Sequence, residues 1–202
     1  MGMPRATPLP PAERRSELIG ATLPLIERYG RDVSTRQIAE AAGVAEGTIF
    51  RVFPSKEALI EAVIADAFDV ARTVDALEAV PSTGDLDTRL VGAVDVLQRR
   101  LRRVFGLFHA LRLQREVPPD HAEHQARQRN DNARIDAALA DLLAPDRHRL
   151  RLDPLEVADL LRTMTFAMSH PILNESGGAD PARIVDLVLH GVCAPQKEHQ
   201  TC

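Results

Sequence analysis

With 202 residues, 45% of them hydrophobic, the chain is long enough to bury a sizeable core, and a net charge of −4 gives it no overall cationic character. Cys193 and Cys202, both near the C-terminus, exclude a disulfide framework, and no apolar run approaches the length of a membrane span. Aromatic residues make up 3%, so Leu, Val, Ile and Ala must fill the interior; helix formers dominate without sustained β-branched alternation, and an all-α fold is expected.

Met1 to Pro11 reads as a flexible arm held extended by Pro4, Pro8, Pro10 and Pro11. It either stays disordered or carries Arg5 along a minor groove. It lacks the apolar stretch of a signal peptide, which leads to the expectation of a cytoplasmic chain with no membrane partner. A first helix is expected from about Ala12 to Tyr29, with Leu18, Leu25, Ile26 and Tyr29 inward and Gly30 as its stop. Pro24 removes one intrahelical bond and should bend it.

Ser34 to Lys56 is the most informative stretch. Ser34 and Gln37 fit a capping box, and Ile38, Ala41 and Ala42 mark an apolar helical face. Gly43 supplies the corner, where φ must be positive. Val44, Ile49 and Val52 continue the buried face into a second short helix and leave Glu46, Thr48 and Arg51 pointing outward. Ala39 must be small where the two helices cross. This is the pattern of a DNA-binding helix-turn-helix, whose second helix lies in the major groove. Charge supports it. Eight basic and six acidic residues up to Lys56 give +2, and the remaining 17 basic and 23 acidic residues give −6. Such a chain touches phosphates with one end.

The next helix starts at Ser55 as N-cap and is expected to run through Leu59, Val63 and Phe68 towards Ala79. Residues 81–85 (Pro-Ser-Thr-Gly-Asp) form the clearest break. A long helix should follow from about Leu86 to Arg115, ended by Pro118 and Pro119, then a more polar one from about Asp120 to Leu143. Asp153 and Pro154 open an apolar helix from Leu155 to Ser169, and the last helix spans Pro181 to Val192. Arg99, Arg100, Arg102 and Arg103 suit a solvated helix face better than a second nucleic-acid patch. His121 and His124 stand one helical turn apart, with His109, His148 and His170 elsewhere, but no Cys or carboxylate cluster accompanies them; the expectation is no metal and no cofactor, with a metal-responsive regulator as the lesser alternative. No phosphate loop, dinucleotide fingerprint, nucleophile elbow or zinc-protease motif is present, so no enzyme is expected.

The run from Thr35 to Leu59 resembles the TetR family of transcriptional regulators, and the resemblance is specific from about Ala12 to Val63. It implies an arm (1–11), a helix-turn-helix domain (12–54), a connecting helix (55–80), an effector-binding and dimerisation domain (81–194) and a tail (195–202). It implies that Ser34, Thr35 and Arg36 lie beside the phosphate backbone, and that Ala45, Glu46, Gly47, Thr48, Phe50 and Arg51 face the groove. Lys56 looks like the family's phosphate-gripping lysine. Phe50 stands where the family usually has Tyr, Val52 where it often has His or Tyr, and Ala45 where Ser or Thr is frequent. Glu46 either accepts from a cytosine amine or favours its helix N-terminus; Arg51 reads guanine or holds a phosphate.

The resemblance also implies a homodimer on a near-palindromic double-stranded operator, most simply a repressor released by a small-molecule effector, with an effector-independent architectural DNA binder as the alternative. The effector pocket would be lined by Phe105, Phe108, His109, Arg112, Met164, Phe166 and Met168, suiting an elongated ligand with a polar end near His109 or Arg112. The last two helices would form a four-helix dimer interface through Leu155, Leu160, Leu161, Val185, Val188 and Leu189.

Overall fold

The computed structural model describes residues 10–112, 121–173 and 178–191. All regular structure among them is helical: α1 (Pro11–Tyr29), α2 (Thr35–Ala41), α3 (Glu46–Val52), α4 (Lys56–Phe68), α5 (Ala71–Glu78), α6 (Leu86–Ala110), α7 (His121–Leu143), α8 (Pro154–Ser169) and α9 (Pro181–His190). Short 3-10 segments follow α1 (Gly30–Asp32) and α7 (Ala144–Arg149). The expected arm up to residue 9, the stop at Pro118–Pro119, Val192 and both cysteines lie outside the described residues.

The chain divides into two compact units. Of the described residues, the first holds those up to Asp69 together with 102–112, and the second holds 70–101 and those from 121 onward. In the first, Leu18, Ile26, Val33, Ile38, Ile49, Phe53, Leu59 and Leu107 are fully buried and form one cluster. Local chemistry sets the ends of these helices. Pro11 opens α1, and Gly30 closes it at φ +61 with its N–H returned to the Ile26 carbonyl. Pro24 sits inside α1 on its exposed side, and Gly20, whose carbonyl loses its donor, is exposed too. Ser34 completes the capping box: its hydroxyl accepts the Gln37 N–H (3.2 Å) and its own N–H donates to Gln37 Oε1 (2.9 Å). Gly43 turns the corner at φ +64, and the Val44 N–H reaches the Ala39 carbonyl at 3.0 Å over a buried Ala39.

The helix expected to run from residue 55 to about 79 is broken. α4 stops at Phe68, Asp69 turns extended, and α5 starts two residues later. The sequence holds no Gly or Pro there; tertiary burial makes the break. Phe68 packs edge-on to Phe108 in the first unit (centroids 5.8 Å), whereas Val70 and Leu77 enter the core of the second. α6 likewise ends at Ala110, earlier than expected, in a turn where Arg112 has φ +48.

The second unit buries Leu77, Leu90, Ala93, Val94, Leu139, Leu143, Ala158, Leu161 and Ile184. Polar ties reinforce it. Buried Arg89 donates to the Gly84 carbonyl (2.8 Å) and the Asp146 carboxylate, Arg162 forks onto Asp136 (2.6 and 3.2 Å), and Gln98 Nε2 donates to the Ala179 carbonyl (2.7 Å). Leu161 and Val185, expected at a dimer interface, are instead fully buried inside this core. The sequence pattern marked both as apolar; which apolar face turns inward is a property of the packed bundle.

Candidate nucleic-acid interface

The first unit presents α3 on a rigid support. Ile49 is completely buried beneath it, and Val44 and Val52 pack half-buried against the same core. Four of the seven α3 residues, Glu46, Gly47, Phe50 and Arg51, are then exposed, with Thr48 half-buried among them. Phe50 is 51% exposed although it is a large hydrophobe. Nothing lies within 4 Å of where a Cβ would stand on Gly47, so backbone there is open to close approach.

The expected phosphate contacts cluster at helix starts. Ser34 caps α2, Thr35 is its first residue, and Lys56 is the first residue of α4 behind the Ser55 cap, whose hydroxyl accepts the Ala58 N–H at 3.1 Å. Lys56 Nζ donates to the Arg31 carbonyl at 3.0 Å, which ties the start of α4 to the turn before α2 and leaves ammonium donors for an anion. Arg36 pairs with Glu40 at 3.1 Å one helical turn along, both side chains well exposed, so its charge is partly offset. Arg51 has no ion-pair partner among the described residues and is the freest cation on the face. The Thr35 hydroxyl donates to the Glu46 carboxylate, joining the first residue of α2 to the first of α3. The resemblance sets Thr35 beside the phosphate backbone and Glu46 towards the groove, and nothing in the sequence signals that the two meet. The Arg36–Glu40 pair and the Arg31 carbonyl were missed too; the spacing of four signals the first, and nothing local signals the second. Arg15, also missed, stacks over the buried Phe53 ring at 4.5 Å.

The family model for bacterial regulatory proteins of the tetR family matches residues 18–63. Over those residues the chain is similar to the TetR family. Over 58 residues it is 43% identical to the HTH-type transcriptional repressor KstR of Rhodococcus jostii, covering 28% of this chain and 27% of that one. Over 85 residues it is 39% identical to the HTH-type transcriptional regulator BetI of Escherichia coli, covering 41% and 43%. The match thus spans well under half the length of these curated relatives. The TetR transcriptional regulator SCO0520 of Streptomyces coelicolor shares the fold, with a TM-score of 0.56 at 24% identity over 88% of this chain and 97% of that one.

The other TetR-type expectations fare unevenly. Of the seven residues expected to line one pocket, Phe105, Phe108, His109 and Arg112 belong to the first unit, and Met164, Phe166 and Met168 to the second. Phe108 is occupied by Phe68, and His109 and Arg112 are exposed. Met164 and Met168 pack on the second core, while Phe166 is exposed beside the His170 ring at 5.5 Å. A groove of about 180 Å³ in the second unit is lined by other residues, among them Leu86, Arg149, Arg151, Val157, Val188 and His190. The side chains of His121 and His124 lie outside the described residues. No described helix is long and apolar enough to cross a membrane.

Proposed function

We propose that the chain is a sequence-specific transcriptional repressor that binds double-stranded operator DNA as a homodimer and is released by a small-molecule effector. The carrying observation is the outward face of α3. Phe50 and Arg51 stand exposed over a fully buried Ile49, flanked by the helix starts at Thr35 and Lys56. A recognition helix needs that arrangement: a fixed back, readers in front, and phosphate grips at either side. The repressor named KstR shares this region in sequence. Arg51 reads a base, and Lys56, Thr35 and Arg36 hold the backbone. The dimer forms through the outward apolar side chains of α8 and the end of α9, and the effector acts through the second unit, as the resemblance to the TetR family implies. Mapping bound DNA across the source genome with the full-length protein tests this. Discrete near-palindromic sites are expected; diffuse occupancy without a shared sequence would count against it. If purified protein stays on those sites whatever metabolite extract is added, the architectural alternative is favoured.

A further inference from the structure

An acid on a face that meets phosphates needs a donor, or it weakens binding to every sequence. Glu46 is the only acid in α3, and it is exposed. It has no cation partner among the described residues; its one partner there is Thr35, whose hydroxyl donates to Oε1. That bond fixes the carboxylate in one orientation and uses one of its roughly four acceptor positions. The Glu46 side chain is exposed, and Gly47 beside it has open space where a Cβ would stand, so a base edge has room to approach.

In the major groove the base-edge donors are the cytosine N4 and adenine N6 amines. Adenine sets its N7 acceptor beside the amine, which repels a carboxylate; cytosine sets only a C–H there. We propose that Glu46, oriented by Thr35, is a specificity-determining residue that accepts a hydrogen bond from a cytosine N4 amine in each operator half-site. Thr35 is then a positioning residue as well as a backbone neighbour. This rests on the reading of α3 as the recognition helix.

Selection from a randomised duplex pool at fixed salt, with the full-length protein and its variants Glu46→Ala, Glu46→Gln and Thr35→Val, tests it. The unmodified protein should enrich cytosine at one position per half-site. Glu46→Ala should lose that preference, by roughly tenfold or more in relative affinity, and keep the preferences elsewhere in the site. Glu46→Gln keeps the shape and should turn the position towards adenine, whose N6 and N7 suit an amide. Thr35→Val should keep cytosine with weaker discrimination. An unchanged preference in Glu46→Ala, or a uniform gain of affinity for all sequences, overturns the role of Glu46 while leaving the recognition helix in place. An unmodified protein that enriches no sequence overturns both readings.

Discussion

Arg51 and Lys56 carry similar charges on the proposed DNA-binding face, yet their surroundings suit them to different work. Lys56 is anchored: its ammonium already holds the Arg31 carbonyl at 3.0 Å, so the donors it has left are fixed beside the start of α2. A lysine so placed offers a point charge to any phosphate and carries no sequence information. Lys56→Ala should therefore weaken binding to specific and random DNA alike and flatten the dependence of log Kd on log salt by about one unit per lost contact, read from titrations at several salt concentrations. Arg51 has no such anchor, and its planar fork suits the O6 and N7 edge of guanine. Arg51→Ala should cost about 1–3 kcal/mol on the preferred operator and less on a site altered at the guanine it reads. An equal loss on both sites would assign Arg51 to a phosphate.

The elements themselves are held by end chemistry that is short in sequence and therefore legible. The capping box of Ser34 and Gln37, the Gly43 corner and the Gly30 stop were all readable because each involves residues within a few positions of one another. Gly30 carries a second constraint that was not readable. A Cβ there would stand 2.7 Å from the Ala110 carbonyl oxygen at the end of α6, eighty residues on. Strain at positive φ and this backbone clash act together in Gly30→Ala. Its unfolding free energy should fall by about 1–3 kcal/mol or more in urea denaturation, beyond an ordinary surface Gly→Ala change. The α4–α5 break was equally hidden, because Ala67 and Val70 are buried in different cores and nothing between them disfavours a helix. In the second unit three carboxylates sit at element boundaries. Hydrogen bonds from Thr88 hold Asp85 below the usual carboxylate range; bonds from Arg89 and then Arg149 do so for Asp146, and from Arg147 and then the Leu155 N–H for Asp153. A depressed carboxylate binds fewer protons folded than unfolded, so its stabilisation is complete above the ordinary value of 3.8 and is lost as pH falls through the lower, folded value. Thermal melts should therefore show a steep loss of stability below about pH 4, and Asp146→Asn should make that acid limb shallower.

At the scale of the whole chain, the two-part organisation was visible in the charge division, with a positive head and an acidic remainder. Its boundary was not, since residues 102–112 join the first unit by burying Leu107 and Leu111 there, although they continue a helix begun in the second. A single periodic apolar stripe along α6 serves two cores, and periodicity cannot say where one ends. For the same reason the expected pocket residues fall into separate units, and Leu161 and Val185 proved internal. What the packing leaves outside is informative. On α8, Leu155 is 53% exposed and Phe166 46%, and they lie about three turns apart on one stripe. Val188 and Leu189 on α9 are only half-covered. On the proposed dimer, a second copy of the chain covers these exposed apolar side chains with its own stripe by two-fold symmetry. A repressor gains from such pairing because two recognition helices spaced about 34–36 Å apart engage successive major grooves. Leu155→Glu with Phe166→Glu places charge on the stripe without touching a buried side chain, so the helical signal in circular dichroism should stay intact. Light scattering should then give half the mass of the unmodified protein, and affinity for a full operator should drop towards that for a single half-site. If the unmodified protein already runs at the mass of one chain, this surface has another partner and the two-fold docking fails with it.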